Sequence, residues 1–325
     1  MAGGLHGLGY TYANEATALL IRQAFGDVVR GRDVMDIPQC WAAMVHSIRN
    51  LGRPGIASMA IAAVDNALWD LKAKVLDVPL AKLLGVIRHS VPVYGSGGFT
   101  SYSDTQLRAQ LSGWVDSGIE MVKMKVGRHP SDDVRRVGVA RHAIGNEVSL
   151  FVDANGAYSR KQALELAKAF RDYGVTWFEE PVSSDDWQGL RLLRDRAPAG
   201  MEIAAGEYGY DSVYFRRMLQ AEAVDVLQAD ATRCAGISGF LVAGALSESF
   251  GIPLSAHTAP AMHVDVCCAV QAVRHLEYFH DHARIEHMLF DGVPELRCGR
   301  LYPNTREPGN GLTLRTSDAR RYAAA

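Results

Sequence analysis

The sequence predicts an α/β fold: a (β/α)-barrel of the modified TIM type beside a smaller, mostly helical α+β capping domain. Three observations carry that reading. From Val91 onward eight short β-prone runs alternate with helical patterns, spaced roughly as a βαβ unit of about 30 residues requires. Several of those runs end in a carboxylate or an imidazole, and one carries two lysines; the carboxyl ends of barrel strands are where such folds keep their chemistry. Residues 1–90, by contrast, are mostly helical in rhythm.

Taken in order, Leu8-Gly-Tyr-Thr-Tyr12 reads as the tail of a strand already under way, and a helix is expected from about Ala16. Residues 33–50 and 56–75 read as amphipathic helices. In the second, Ile56, Met59, Ala60, Ala63, Val64, Ala67, Leu68 and Leu71 form a stripe at helical spacing, ended by Asp77-Val-Pro79. The strands expected next are Val91–Tyr94, Met121–Val126, Val148–Asp153, Thr176–Glu179, Ile203–Ala205, Val224–Leu227, Pro253–Ser255 and Ala283–Met288. Helices such as Arg160–Tyr173 fill the gaps, with Ala163, Leu166, Ala167 and Phe170 on one face. The barrel is therefore set at 91–292, and the capping domain at 1–90 joined by the Pro- and Gly-rich segment 293–325. The expected start inside a strand makes the capping domain look N-terminally incomplete.

Composition narrows the partners. A net charge of −2 over 325 residues leaves no basic footprint for nucleic acid. The most apolar stretch, Ile56 to Leu71, is broken by Asp65, Asn66 and Asp70, so no membrane span is expected. The amino end lacks the charged and apolar regions of a secretion signal. Cys40, Cys234, Cys267, Cys268 and Cys298 are scattered without a Cys-x-x-Cys pair and read as thiols in a reducing cytoplasm. No Gly-x-Gly-x-x-Gly follows the first strand, which weighs against a dinucleotide site. A small-molecule substrate and a homo-oligomer are expected.

The strongest signal is Trp177-Phe178-Glu179-Glu180-Pro181, an apolar run ending in two carboxylates and a proline. The preceding strand ends at Asp153, the following one at Glu207. Singly, each is explained by a strand-end ion pair; at three successive strand ends they converge on one hard cation, and oxygen-only ligands favour Mg²⁺, with Mn²⁺ as substitute. Residues two apart on a strand share a face. The apolar set Val122, Met124 and Val126 should pack outward, which sends Lys123 and Lys125 inward, and the same parity pairs Asp153 with Asn155. Further on, Asp230 and His257 end neighbouring strands, where a carboxylate can fix an imidazole tautomer. Glu286, expected on the eighth strand, points to the same mouth. His280-Asp-His282 has metal-like spacing but is placed at the wrong end of that strand, and Gly95-Ser-Gly-Gly98 is a weak anion-loop signal.

Together these motifs resemble the enolase superfamily, mandelate racemase subgroup. The matching pieces are Lys123-Met-Lys125, Val152-Asp153-Ala-Asn155, Phe178-Glu179-Glu180-Pro181, Gly206-Glu207, Asp230 with Thr232-Arg-Cys-Ala-Gly236, Ser255-Ala-His257 and Ile285-Glu286. The resemblance implies Mg²⁺ on Asp153, Glu179 and Glu207, holding a substrate carboxylate. It makes Lys125 one base, its pKa lowered by the charges of Mg²⁺ and Lys123, and His257, oriented by Asp230, the acid or base on the opposite face. Lys123 and Glu286 would bind the carboxylate, with Asn155 beside them. The implied reaction is abstraction of the proton α to a carboxylate through an enediolate, a chemistry the handling of carbon acids by Lys or His and Mg²⁺ makes familiar. Dehydration of a sugar acid to a 2-keto-3-deoxy acid is the expected outcome. A racemase, epimerase or cycloisomerase, and a non-catalytic truncated relative, are the alternatives.

Overall fold

The computed structural model describes residues 2–323. A helical layer comes first. Helical turns between Glu15 and Val29 lead to helix Ile37–Ser47 and then to the 20-residue helix Ile56–Val75. That last helix has the span its apolar stripe predicts. Phe25, Met44, Ile48, Ala57, Ala60 and Ile61 form the buried centre of this layer.

Eight parallel strands follow: β1 Val91–Gly97, β2 Met121–Lys125, β3 Ser149–Asp153, β4 Val175–Glu179, β5 Glu202–Ala205, β6 Val226–Ala229, β7 Leu254–Ala256 and β8 Val273–Phe279. Each pairs in parallel with the next, and β1 pairs with β8, so the sheet closes. Alternation sorts the side chains. Val122, Met124, Leu150, Val152, Phe178, Ile203, Leu227 and Leu276 face outward into the core beneath the helices. Tyr94, Phe151, Trp177, Ala204 and Val226 fill the barrel interior. There Phe151 and Trp177 stack at 5.2 Å, making a floor on which the polar strand ends stand; truncating such an aromatic costs about 3–5 kcal/mol.

Seven of the eight strands lie where the sequence places them. The eighth does not. Residues 280–289 form a helix, His280–Leu289, and β8 precedes it at Val273–Phe279. The inward residues of β8 are His275 and Glu277, so its buried face is polar and does not read as a strand face. In the helix, Ala283 and Glu286 are buried at i, i+3, a helical spacing.

Side chains of the Ile56–Val75 helix are bonded to the loops after β5 and β6 and to the first turn of the helix Gly236–Ser249 that follows. Ser58 donates to the Tyr210 carbonyl at 2.7 Å, and Asn66 donates to the Ala231 carbonyl at 3.1 Å while accepting from the Ile237 amide at 2.9 Å. Asp65 accepts from the Ser238 amide at 2.9 Å and its hydroxyl at 2.7 Å. Burial lifts the Asp65 pKa to about 7, with the Ser238 hydrogen bonds pulling the other way. Trp41 Nε1 reaches the Ala235 carbonyl at 2.9 Å. The carboxyl-terminal segment runs back over this layer: the Asn310 amide donates to Asp70 at 2.8 Å, and Thr313–Leu314 pairs with Phe290–Asp291. Cys40, Cys234, Cys267 and Cys268 are buried free thiols, and Cys298 is exposed.

Candidate active site

The inward face of β2 carries Lys123 and Lys125, as its parity requires. Lys123 is fully buried and pairs with Glu179, with Glu277 at 2.9 Å and with Asp153 at 3.6 Å. Lys125 pairs with Asp153 and donates to Asn155 Oδ1 at 3.0 Å. Ammonium groups are tolerated here because carboxylates meet them directly. Burial alone would depress the Lys125 pKa, but Asp153 overrides it and holds the group above its ordinary value. The depression expected from sequence is the joint effect of Mg²⁺ and Lys123, and Lys123 acts in that direction here, against Asp153.

Asp153, Glu179 and Glu207 end β3, β4 and β5, and one oxygen from each falls within 4.8 Å of the other two. All three are buried. The residues just beyond the strands depart sharply from extended geometry: Asn155, Glu180 and Thr258 have φ of 44°, 38° and 53°, conformations that cost a non-glycine residue energy and collect at functional sites. Glu207 follows Gly206 at φ 134°, where an added Cβ would stand 2.2 Å from the Gln228 carbonyl. Only glycine lets β5 turn its terminal carboxylate into the cluster.

On the far wall His257 Nδ1 lies 2.9 Å from Asp230 Oδ2. The other Asp230 oxygen accepts from the Thr232 amide and hydroxyl, both at 2.7 Å, so Asp230 is held as the imidazole's partner. Burial would raise the Asp230 pKa, but His257 and its other cationic neighbours keep it below the usual range. His257 Nε2 faces Glu207 at 3.4 Å and Glu277 at 3.7 Å.

The eighth strand supplies Glu277, not Glu286. Glu277 accepts from the Thr258 amide at 3.1 Å; burial works against its charge, but Lys123 first and His257 next bring its pKa down to about 2. Glu286 sits on the following helix, accepting from the Tyr10 hydroxyl at 2.7 Å and the Ala261 amide at 3.1 Å. It ties the amino-terminal segment to the helix after β7. Burial lifts its pKa to about 8. The one-strand error in the sequence reading moved the carboxylate with it. His282 likewise follows β8 and does not precede it; its ring stacks on Tyr12 at 3.4 Å and accepts from the Ala259 amide.

Two more residues, quoted within the sequence motifs but given no role there, join the site. Arg233 Nη1 meets Glu207 Oε1 at 3.1 Å, and its Nε lies 3.6 Å from Asp230. Glu180 is buried with an unpartnered Oε1, its pKa lifted to about 10 by burial and by Glu207. Their positions in Glu179-Glu180 and in Asp230-Ala-Thr-Arg233 were a signal; nothing in the spacing told which way they point.

The donor set suits a divalent cation. Six carboxyl groups (Asp153, Glu179, Glu180, Glu207, Asp230, Glu277) share three permanent cations (Lys123, Lys125, Arg233). Glu207 Oε2 is buried with no hydrogen-bond partner. Three convergent oxygen ligands are what Mg²⁺ prefers, so the residues present fit it.

A closed barrel whose strand ends gather this charge is the framework of a metal-dependent barrel enzyme. The comparisons give its family. Residues 106–319 match the model for the enolase C-terminal domain-like family, and residues 1–85 match the mandelate racemase / muconate lactonizing enzyme N-terminal domain. The chain belongs to the enolase superfamily, in its mandelate racemase subgroup. It is 34% identical to L-talarate/galactarate dehydratase of Salmonella typhimurium, over 98% of this chain and 79% of that protein. It is 32% identical to 3,6-anhydro-alpha-L-galactonate cycloisomerase of Streptomyces coelicolor, over 96% and 86%. Among solved structures, a mandelate racemase/muconate lactonizing enzyme-like protein from Rubrobacter xylanophilus superposes with a TM-score of 0.97 at 52% identity, covering 100% of this chain and 90% of that one. A racemase from Streptomyces coelicolor with bound magnesium superposes at 0.93 and 28% identity, with the same coverage.

Proposed function

We propose that this enzyme removes the proton α to the carboxylate of a sugar acid and eliminates the neighbouring hydroxyl, giving a 2-keto-3-deoxy acid. The observation that carries the reading is the pairing of two proton-transfer groups on separate walls of one charged mouth. Lys125, beside Asn155, stands on β2; His257, held by Asp230, stands just past β7. The three carboxylates of Asp153, Glu179 and Glu207 would hold Mg²⁺, which supplies positive charge to the substrate carboxylate as electrons move onto it.

The chain's own residues divide the remaining work. Lys125 takes the α-proton, and the C–H electron pair passes into the enediolate. To act as base it must first shed the proton that Asp153 now stabilises, so its basicity depends on what engages that carboxylate. Lys123 offsets the growing negative charge, and Glu277, rather than Glu286, borders the carboxylate site. Protonated His257 gives its proton to the departing C3 hydroxyl, which leaves as water, and the enol becomes the ketone. Asp230 stabilises the imidazolium and fixes its orientation. The same groups would epimerise C2 if His257 returned its proton to carbon, and the likeness to a cycloisomerase and a racemase supports that second reading.

Incubating the protein and Mg²⁺ with a panel of aldonic and aldaric acids, and assaying 2-keto acid and epimers by NMR, tests the proposal. Keto acid is expected. Epimers or cyclised isomers without keto acid would replace it with the second reading.

A further inference from the structure

Next to the charged mouth lies a cavity of about 460 Å³, bounded by the turn at Pro54 and by the loops after β4 and β5. Its walls include Ser184 and Asp185 after β4, and Tyr208, Tyr210, Asp211 and Tyr214 after β5. It adjoins the carboxylate cluster. Tyr208 directly follows Glu207, and the Arg233 guanidinium stands 5.2 Å from its ring centre. The charge of Glu207, with burial and then Glu180 and Asp153, raises the Tyr208 phenol well above its ordinary pKa. Burial raises Tyr214 as well, with Glu180, Asp185 and Glu207 contributing.

The chemistry of this lining is one-sided. It offers phenol hydroxyls and two carboxylates, and no lysine, arginine or histidine lines it. Of the two guanidiniums nearby, Arg233 is bonded to Glu207, and Arg53, over the Trp41 ring at 4.8 Å, lies near enough to Asp211 to offset part of its charge. Asp185 is exposed to the cavity side and takes part in no ion pair among the described residues. Hydroxyl groups entering this space find donors and acceptors. A carboxylate entering it would meet the unpaired charge of Asp185 with no cation in the lining to receive it, which discriminates by repulsion.

We propose that this cavity is the subsite for the distal end of the substrate, and that it selects sugar acids ending in a neutral hydroxyl over those ending in a second carboxylate. The inference rests on the reaction proposed above and specifies its substrate class: aldonic rather than aldaric acids. It separates this chain from the relative whose name specifies the diacids talarate and galactarate.

The test uses matched pairs of aldonic and aldaric acids that differ only at the far end. With Mg²⁺ present, the wild type should turn over each aldonic acid with kcat/KM at least about tenfold above its partner, about 1.4 kcal/mol of discrimination. Asp185→Lys, which supplies a cation to the cavity, should reduce that ratio at least about fivefold, and Asp185→Asn should reduce it less. Calorimetry on Lys125→Met, which lacks the base, reads the same preference as binding of each acid. Aldaric acids equal to or better than their partners, in turnover or in binding, or a ratio unmoved by Asp185→Lys, would overturn the subsite and leave the reaction standing. Absence of keto acid, epimer and α-deuterium exchange across the panel would overturn the reaction, while the binding preference of Lys125→Met would still decide the subsite.

Discussion

Lys123 and Glu277 meet at 2.9 Å inside the barrel, one from β2 and the other from β8 across the closing strand β1. That contact fixes which carboxylate of the last βα unit belongs to the site. Glu277→Gln should cut kcat by about 10²-fold or more, the scale of losing a preorganised group at a charged transition state, with little change in melting temperature. Glu286→Ala should do the reverse. It strips acceptors from Tyr10 and the Ala261 amide and should lower stability by about 1–3 kcal/mol, read by urea denaturation. If Glu286→Gln loses activity and Glu277→Gln keeps it, the assignment is inverted.

The acidic triad should bind one Mg²⁺ per chain. Glu179→Gln and Glu207→Gln are each expected to weaken binding by at least about 100-fold in calorimetry, a loss beyond that of perturbing a ligand's own supporting contacts. Chelation should abolish turnover and Mg²⁺ should restore it. Equal metal affinity in wild type, Asp153→Asn, Glu179→Gln and Glu207→Gln would remove the site from these residues.

Lys125 and His257 should act on opposite faces of one carbon. In D₂O the wild type is expected to exchange the α-proton of a bound 2-hydroxy acid. Lys125→Ala and His257→Asn should each lose exchange preferentially with one configuration. Asp230→Asn leaves the imidazole without an anionic partner and should resemble His257→Asn, reduced by about 10²–10⁴-fold. Wild-type exchange in both Lys125→Ala and His257→Asn would refute the acid/base pair.

Asp65 links the helical layer to the helix after β6, and its pH dependence follows from its burial. Its folded pKa of about 7 lies above that of an unfolded aspartate. Its contribution to stability is therefore complete below about pH 4 and is lost as pH rises through about 7, by up to about 4 kcal/mol. Asp65→Asn cannot ionise and should flatten the urea midpoint across that range. A wild-type profile with the same slope as Asp65→Asn would show that Asp65 does not titrate there.

Most of this molecule was legible because its code is parity and position. Lys123 and Lys125 faced inward once Val122, Met124 and Val126 were assigned to the outer core, and the three metal-type carboxylates followed from where β3, β4 and β5 stop. What was not legible had physical reasons. His275 and Glu277 give β8 a polar buried face, so no apolar alternation marked it, while Ala-Arg-Ile-Glu-His-Met288 imitated a strand and is helical. Arg233 depends on a loop trajectory that sequence spacing does not encode. The contact of Asp153 with the Lys125 amine is likewise one that no pattern specifies.

The five cysteines turn out to be a built-in gauge of folding. Four thiols are buried, and Cys298 alone is exposed. A chromogenic disulfide reagent should therefore label one thiol quickly in the native protein and five once the chain is opened in denaturant. The thiol count of each variant above then separates a lost chemical group from a lost fold, with no added label and no knowledge of the substrate.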